Sequence, residues 1–154
     1  VRIQSVPRWT PPAEVRRDNP PPPVDASDGG SDTEDNPGAV NQRLWTRQHP
    51  AIEIDQQRDV ISDDGVEVYS YLRHMRIDSV IILGVHTNMC ILGRSFAIRQ
   101  MVRWGQDIMV CRDLTDAMYN PAMPPYVSHA RGTDLVIEYI EKFWCPSIES
   151  IDLA

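Results

Sequence analysis

A chain of 154 residues, 42% hydrophobic and 24% charged, is long enough for one domain with a real core. Its formal net charge of −7 and pI of about 5.0 argue against nucleic acid or an anionic membrane as a main partner. No apolar run is long enough to span a bilayer, and the first residues, Val1-Arg2-Ile3-Gln4-Ser5, have no apolar signal core.

Residues 1–50 differ in composition from the rest. Nine of the thirteen prolines fall there, including Pro20-Pro21-Pro22-Pro23, and residues 25–38 are acidic and turn-rich. With no periodic apolar pattern, this stretch reads as an extended or partly disordered surface arm, and 51–154 as the folded domain. Trp9 and Trp45 are the arm's candidates for packing over a neighbouring subunit or an active-site mouth, because an indole is costly to leave in water. Residues 51–55 alternate weakly, as a short strand would. Ser62 is the expected cap of a helix through about residue 75, with Asp63 and Asp64 in its first turn, where the dipole favours them. Val68, Tyr69, Leu72 and Met75 share one face of it.

Residues 79–85 form an apolar run with β-branched content, which suits a central parallel strand covered on both faces. His86-Thr87-Asn88 cannot continue it, and Asn88 is a good helix N-cap. A helix from about 89 to 104 is expected next, with Ile91, Ile98, Met101 and Val102 as its stripe and Gly105 at its end. Residues 107–111 read as a second buried strand, with Arg112-Asp113-Leu114-Thr115-Asp116 at its carboxyl end. A loop with Pro121, Pro124 and Pro125 leads to a last helix over about 133–144. Its inward residues are Leu135, Val136, Tyr139, Ile140 and Phe143, Glu138 and Lys142 form a pair four apart, and Pro146 stops it. Strand, helix, strand, helix in this order implies βαβ units and a mostly parallel sheet.

Cys90 falls in the first turn of the helix that follows the strand. Unpaired amides at such a place stabilise an anion and raise the thiolate fraction. The carboxyl end of a parallel strand is also where open α/β sheets place their ligands. The alternative for a lone cysteine is a small buried hydrophobe, and Cys111 and Cys145 are expected to be structural thiols of that kind. Three cysteines without zinc-finger or disulfide spacing point to a reducing, cytoplasmic setting. His49, His74, His86 and His129 show no ligand spacing, so neither metal nor cofactor is expected. No Gly-x-Gly-x-x-Gly follows a strand, which disfavours a dinucleotide-binding oxidoreductase.

Gly84-Val85-His86-Thr87-Asn88-Met89-Cys90 resembles the Gly-Val-x-Thr-x-x-Cys signature of the isochorismatase-like cysteine hydrolases, a superfamily that includes nicotinamidases and other amidohydrolases. The resemblance spans residues 52–148 and takes in Arg112-Asp113-Leu114-Thr115-Asp116-Ala117 and Pro124-Pro125-Tyr126-Val127-Ser128-His129. It implies a three-layer α/β sandwich around a mostly parallel, doubly wound sheet, here truncated at the amino end because the first strand is missing. It further implies Cys90 as nucleophile, the backbone amides of His86 and Cys90 as oxyanion hole, and a cis peptide between Val85 and His86.

Cysteine attack on an amide needs a thiolate, donors for the oxyanion, and a group that protonates the leaving nitrogen and then activates water. Relatives supply the last with an aspartate at the end of the first strand, supported by a lysine before the motif. Neither is visible here: the single lysine is Lys142, and no Asp in the first fifty residues ends an apolar strand. Arg58 or Arg47 could supply positive charge but no proton shuttle, since arginine does not deprotonate at working pH. Thr87, Asn88, Arg58 and Asp113 are the substrate-pocket candidates, and His86 stands where most relatives have a small residue. A cysteine at position 90 favours an amide-type substrate over the vinyl ether of true isochorismatases. The expected function is therefore hydrolysis of a C–N bond in a small molecule through a thioester, by a homo-oligomer. The alternative is a catalytically impaired relative that binds a small molecule or serves as an interaction scaffold.

Overall fold

The sheet takes its shape from one long strand with a shorter one on each side. A computed structural model describes residues 3–29 and 48–153, so Trp45, Arg47 and most of the acidic 25–38 stretch lie outside the described residues. β1 is Ser79–Val85, β2 is Asp107–Asp116 and β3 is Ser147–Ile148, all parallel and in the order β1-β2-β3. The helices are α1 (Gly65–Met75), α2 (Cys90–Gly93), α3 (Ile98–Arg103) and α4 (His129–Phe143), with single 3-10 turns at Ile3–Ser5 and Ser150–Leu153. The result is a small α/β domain built on a three-stranded parallel sheet.

Strand alternation decides what the sheet buries. Val80 and Ile82 of β1 stand in register with Ile108 and Val110 of β2. All four pack with Leu72 of α1, Ile91 and Leu92 of α2, Ile98 and Met101 of α3, and Val136 and Ile140 of α4. The other face of β1 is open at Leu83 and Val85, which are 52% and 58% exposed. The expectation of a central strand covered on both faces is thus corrected: β2 is central, and among the described residues β1 pairs on one side only. An apolar run reports burial potential and says nothing of which edges are paired.

β2 does not stop at Cys111 but continues to Asp116. The register steps from Ile82↔Val110 to Gly84↔Thr115, a bulge that lets β2 make up the extra length. Gly84 sits at that step with φ 114°, a conformation that residues with a Cβ rarely adopt. The bulge brings Asp116 opposite Val85, and so to the root of the turn that follows β1.

The helix expected over 89–104 is two pieces. Arg94 turns to extended backbone, and the break at 94–97 receives the start of α1. There Ser95 Oγ accepts from the Gly65 amide at 3.1 Å and donates to the Asp63 carbonyl at 3.5 Å. A Cβ on Gly65 would stand 1.9 Å from the Ser95 carbonyl oxygen. Gly65→Ala is therefore expected to destabilise the chain by about 2–3 kcal/mol, since the overlap is with backbone; thermal unfolding checks it.

Other boundaries shift for local reasons. Asp64, not Ser62, caps α1, accepting from the amides of Val66 and Glu67 at 2.7 and 3.1 Å. Ser62 instead donates to Glu67 Oε2 at 2.7 Å. Met75 ends α1 exposed rather than inward. Residues 51–55 form no strand; the Asp55 carbonyl closes a turn by accepting from Arg58 and Asp59. α4 begins at His129, four residues before its expected start, with Ser128 as cap. Glu138 pairs back to Arg131 at 2.5 Å, while the Lys142 ammonium lies 5.2 Å from the Phe143 ring centre. Ile137, not among the expected inward residues, is buried, and Leu135 is only half-buried.

Residues 3–29 lie along the helices. Trp9 N donates to Ser70 Oγ at 2.9 Å, and Val15 N to the Arg103 carbonyl at 2.9 Å. The Pro20 carbonyl accepts from Tyr139 OH at 2.8 Å, Asp25 N donates to the Pro124 carbonyl at 2.9 Å, and Val24 joins the core. The Arg73 guanidinium stands 6.0 Å from the Trp9 ring centre.

Candidate active site

β1 ends at Val85, and five residues later Cys90 opens α2. The Val85–His86 peptide bond is cis. The His86 carbonyl accepts from the amides of Met89 and Ile91, at 3.0 and 3.2 Å, which closes the turn. The amides of His86 and Cys90 have no acceptor among the described residues. Two backbone donors thus remain available on either side of the turn, the kind of pair that can hold a developing oxyanion.

The polar side chains inside the turn hold it to β2. Thr87 is fully buried; its amide donates to the Asp116 carbonyl at 2.9 Å, and its hydroxyl shares a 2.7 Å bond with Thr115 Oγ1. Asn88 does not cap α2, as expected from its type. Its amide group instead grips the Met118 backbone, donating to the carbonyl and accepting from the N–H, both at 2.9 Å. Met89 occupies the cap position with no side-chain bond to the helix. Thr87 and Asn88 therefore shape the site by fixing its backbone.

Cys90 is half-buried, whereas Cys111 and Cys145 are buried. Burial raises the Cys111 thiol, and its 3.3 Å bond to Asp113 adds to the effect. Burial pushes Cys145 up to about 12. Two thiols are thus kept protonated and out of reach, and the third stands at the end of a strand. α2 has only four residues, so the field of a long helix expected at Cys90 reduces to local amides.

The other candidates are placed elsewhere. Arg58 is exposed in the 55–59 turn, with its amide bonded to the Asp55 carbonyl. Asp113 accepts from the amide and hydroxyl of Ser150, which hold its carboxyl below the usual range. Lys142 lies in the last turn of α4, while the turn bearing Cys90 is joined to the segment before α4.

Along the first half of α4 lies a cavity of about 450 Å³ lined by Arg112, Asp113, Asp116, His129, Thr133 and Glu149, among others; no residue of the 85–90 turn lines it. His129 Nδ1 stands 2.8 Å from the Tyr119 carbonyl, and Nε2 stands 2.9 and 3.1 Å from the two Asp116 carboxylate oxygens. Both partners are acceptors, so the imidazolium form, in which both ring nitrogens donate, is the one that satisfies both. The Tyr119 carbonyl and then the Asp116 carboxylate raise its pKa above the ordinary value. Thr133 Oγ1 donates to Asp116 at 2.9 Å and accepts from the Ala117 amide at 3.1 Å. The sequence marks His129 as a structural residue and gives no sign of its partner, which lies thirteen residues back across a proline-containing loop.

Among the described residues, no three His, Cys, Asp or Glu side chains come together to hold a metal ion, and no helix is long and apolar enough to cross a membrane. No family model matches the chain, and neither a curated protein nor a solved structure matches it.

Proposed function

We propose that this chain is an isochorismatase-like cysteine hydrolase that cleaves an amide-type C–N bond of a small molecule, with Cys90 as nucleophile. The observation that carries the reading is the 85–90 turn, where two amides with no acceptor among the described residues stand beside the chain's one thiol that is not buried. In the proposed reaction Cys90 gives its proton to solvent, its sulfur attacks the carbonyl carbon, and the π electrons move to oxygen, which the amides of His86 and Cys90 receive. Collapse of this adduct breaks the C–N bond as the nitrogen takes a proton from solvent and leaves as ammonia or an amine, and water then hydrolyses the thioester to a carboxylic acid and the free thiol. The resemblance supports this substrate class, and with it the doubly wound three-layer arrangement and a homo-oligomer.

A second reading, a catalytically impaired binder or scaffold, has one observation in its favour. Among the described residues no carboxylate or lysine is hydrogen-bonded to Cys90, so the acid–base role is unassigned. Thiol trapping separates the two. Iodoacetamide at neutral pH is expected to label Cys90 well before Cys111 or Cys145, and incubation with small primary amides to leave an acyl mass on the Cys90 peptide. Equal labelling of the three thiols, or no adduct with any amide, would leave the second reading standing.

A further inference from the structure

Taking Cys90 as the nucleophile, we propose that Asp116 and His129 are positioning residues: they hold the turn that carries Cys90, and the charge on His129 governs how that turn sits.

The turn has three side anchors, and all land on one short segment. Thr87 N bonds the Asp116 carbonyl, Thr87 Oγ1 bonds Thr115, and Asn88 grips Met118. The orientation of residues 115–118 therefore fixes that of residues 87–88. That segment is in turn gripped by α4. The Asp116 carboxylate receives Thr133 Oγ1 and His129 Nε2, Ala117 N donates to Thr133 Oγ1, and His129 Nδ1 holds the Tyr119 carbonyl. The Tyr119 ring is 1% exposed, and its hydroxyl donates to the Met123 carbonyl and accepts from the Val127 amide. Asp116 is the joint: its carbonyl takes the turn, and its carboxylate takes α4.

The charged groups that share the cavity lining with His129 are Arg112, Asp113 and Asp116 of β2, Asp134 of α4, and Glu149 beyond β3. Arg112 is paired with Glu141 and Glu149 at 3.6 and 3.5 Å, and Asp113 is engaged by Ser150. Asp116 is therefore the carboxylate that meets the ring. When His129 loses a proton, one ring nitrogen presents a lone pair to an acceptor of the 116–119 segment, the Asp116 carboxylate at 2.9 Å or the Tyr119 carbonyl at 2.8 Å. Either way one of the two grips on that segment turns from attraction to repulsion, and the segment shifts with the Asp116 carbonyl that Thr87 needs.

The sign follows from the direction of the shift. The folded chain holds the His129 proton more tightly than the unfolded chain does. The added stability is fully present below the ordinary imidazole value and is lost as pH rises through the raised one. The turn is thus ordered on the acid side and loosened on the alkaline side.

Amide NMR of the whole chain, titrated from about pH 5 to about pH 9, tests this. The Thr87 and Asn88 amides are expected to titrate with the same midpoint as the His129 ring, above about 6.5, and to become flat in His129→Gln. Thr133→Ser, which keeps the hydroxyl, should preserve the titration, and Thr133→Val should reduce its amplitude. Turn amides that stay flat while the parent's His129 titrates, or that titrate unchanged in His129→Gln, would overturn the proposal. The parent titration needs no variant, so a misfolded His129→Gln leaves that comparison standing. Absence of amide hydrolysis would sink the function proposed above and leave this titration intact.

Discussion

Cys90→Ser is expected to lower the rate of ammonia release from a small amide by at least about a thousandfold, with the fold intact. A thiol is partly ionised near neutral pH and its sulfur is intrinsically nucleophilic. A serine hydroxyl is neither without a base bonded to it, and none of the described residues offers Cys90 such a base. The fold should tolerate the change, because α2 is held through Ile91 and Leu92, which belong to the core, while Cys90 is half-buried at its edge. Circular dichroism and melting should therefore match the parent while turnover collapses. A serine variant that retained turnover would show that the sulfur is not the nucleophile.

Gly132→Ala should produce a large loss of stability from one added carbon: about 3 kcal/mol or more, and a melting point lower by on the order of 10 °C. The new Cβ would lie 2.2 and 2.6 Å from Cδ1 and Cε1 of Tyr119. That ring is buried and tied at its hydroxyl by two hydrogen bonds, so it has no free direction in which to swing. Gly93 is the control, since nothing lies within 4 Å of the Cβ it would gain, and Gly93→Ala should be neutral or mildly stabilising. Differential scanning calorimetry of the pair checks the argument. Equal melting points would show that α4 moves away from Tyr119 at little cost. Because the Tyr119 carbonyl is an acceptor for His129, Gly132→Ala is also expected to disturb the imidazolium.

The sequence locates the turn well and its supports poorly. The β1 bounds at 79 and 85 are legible because an apolar β-branched run ends abruptly at His86. Cys90 follows at a fixed chain distance, so its place beside the strand end is legible too. The partners of that turn are not. Asn88 has the residue type of a cap, and only the approach of Met118 turns its amide to another use. Likewise, periodicity carries one helix across 94–97, and what breaks it is the docking of Gly65 from thirty residues upstream. Local pattern reports what a segment can form; a contact between distant segments decides between options of similar energy. His129 and Asp116 are of this second kind, and so, among the described residues, is the edge position of β1.

The early placement of residues 9–25 in the chain has a consequence for biosynthesis. Every surface they rest on is translated after them, and the Tyr139 hydroxyl that holds Pro20 comes 119 residues later. A ribosome delivers residues 9–25 before these partners, so each contact waits until its partner has emerged, Ser70 first and Tyr139 last. The segment's prolines keep it extended in the interval. Docking then closes a very long loop, a late and entropically costly event of the kind that slows folding. Residues made before their partners are settled after them.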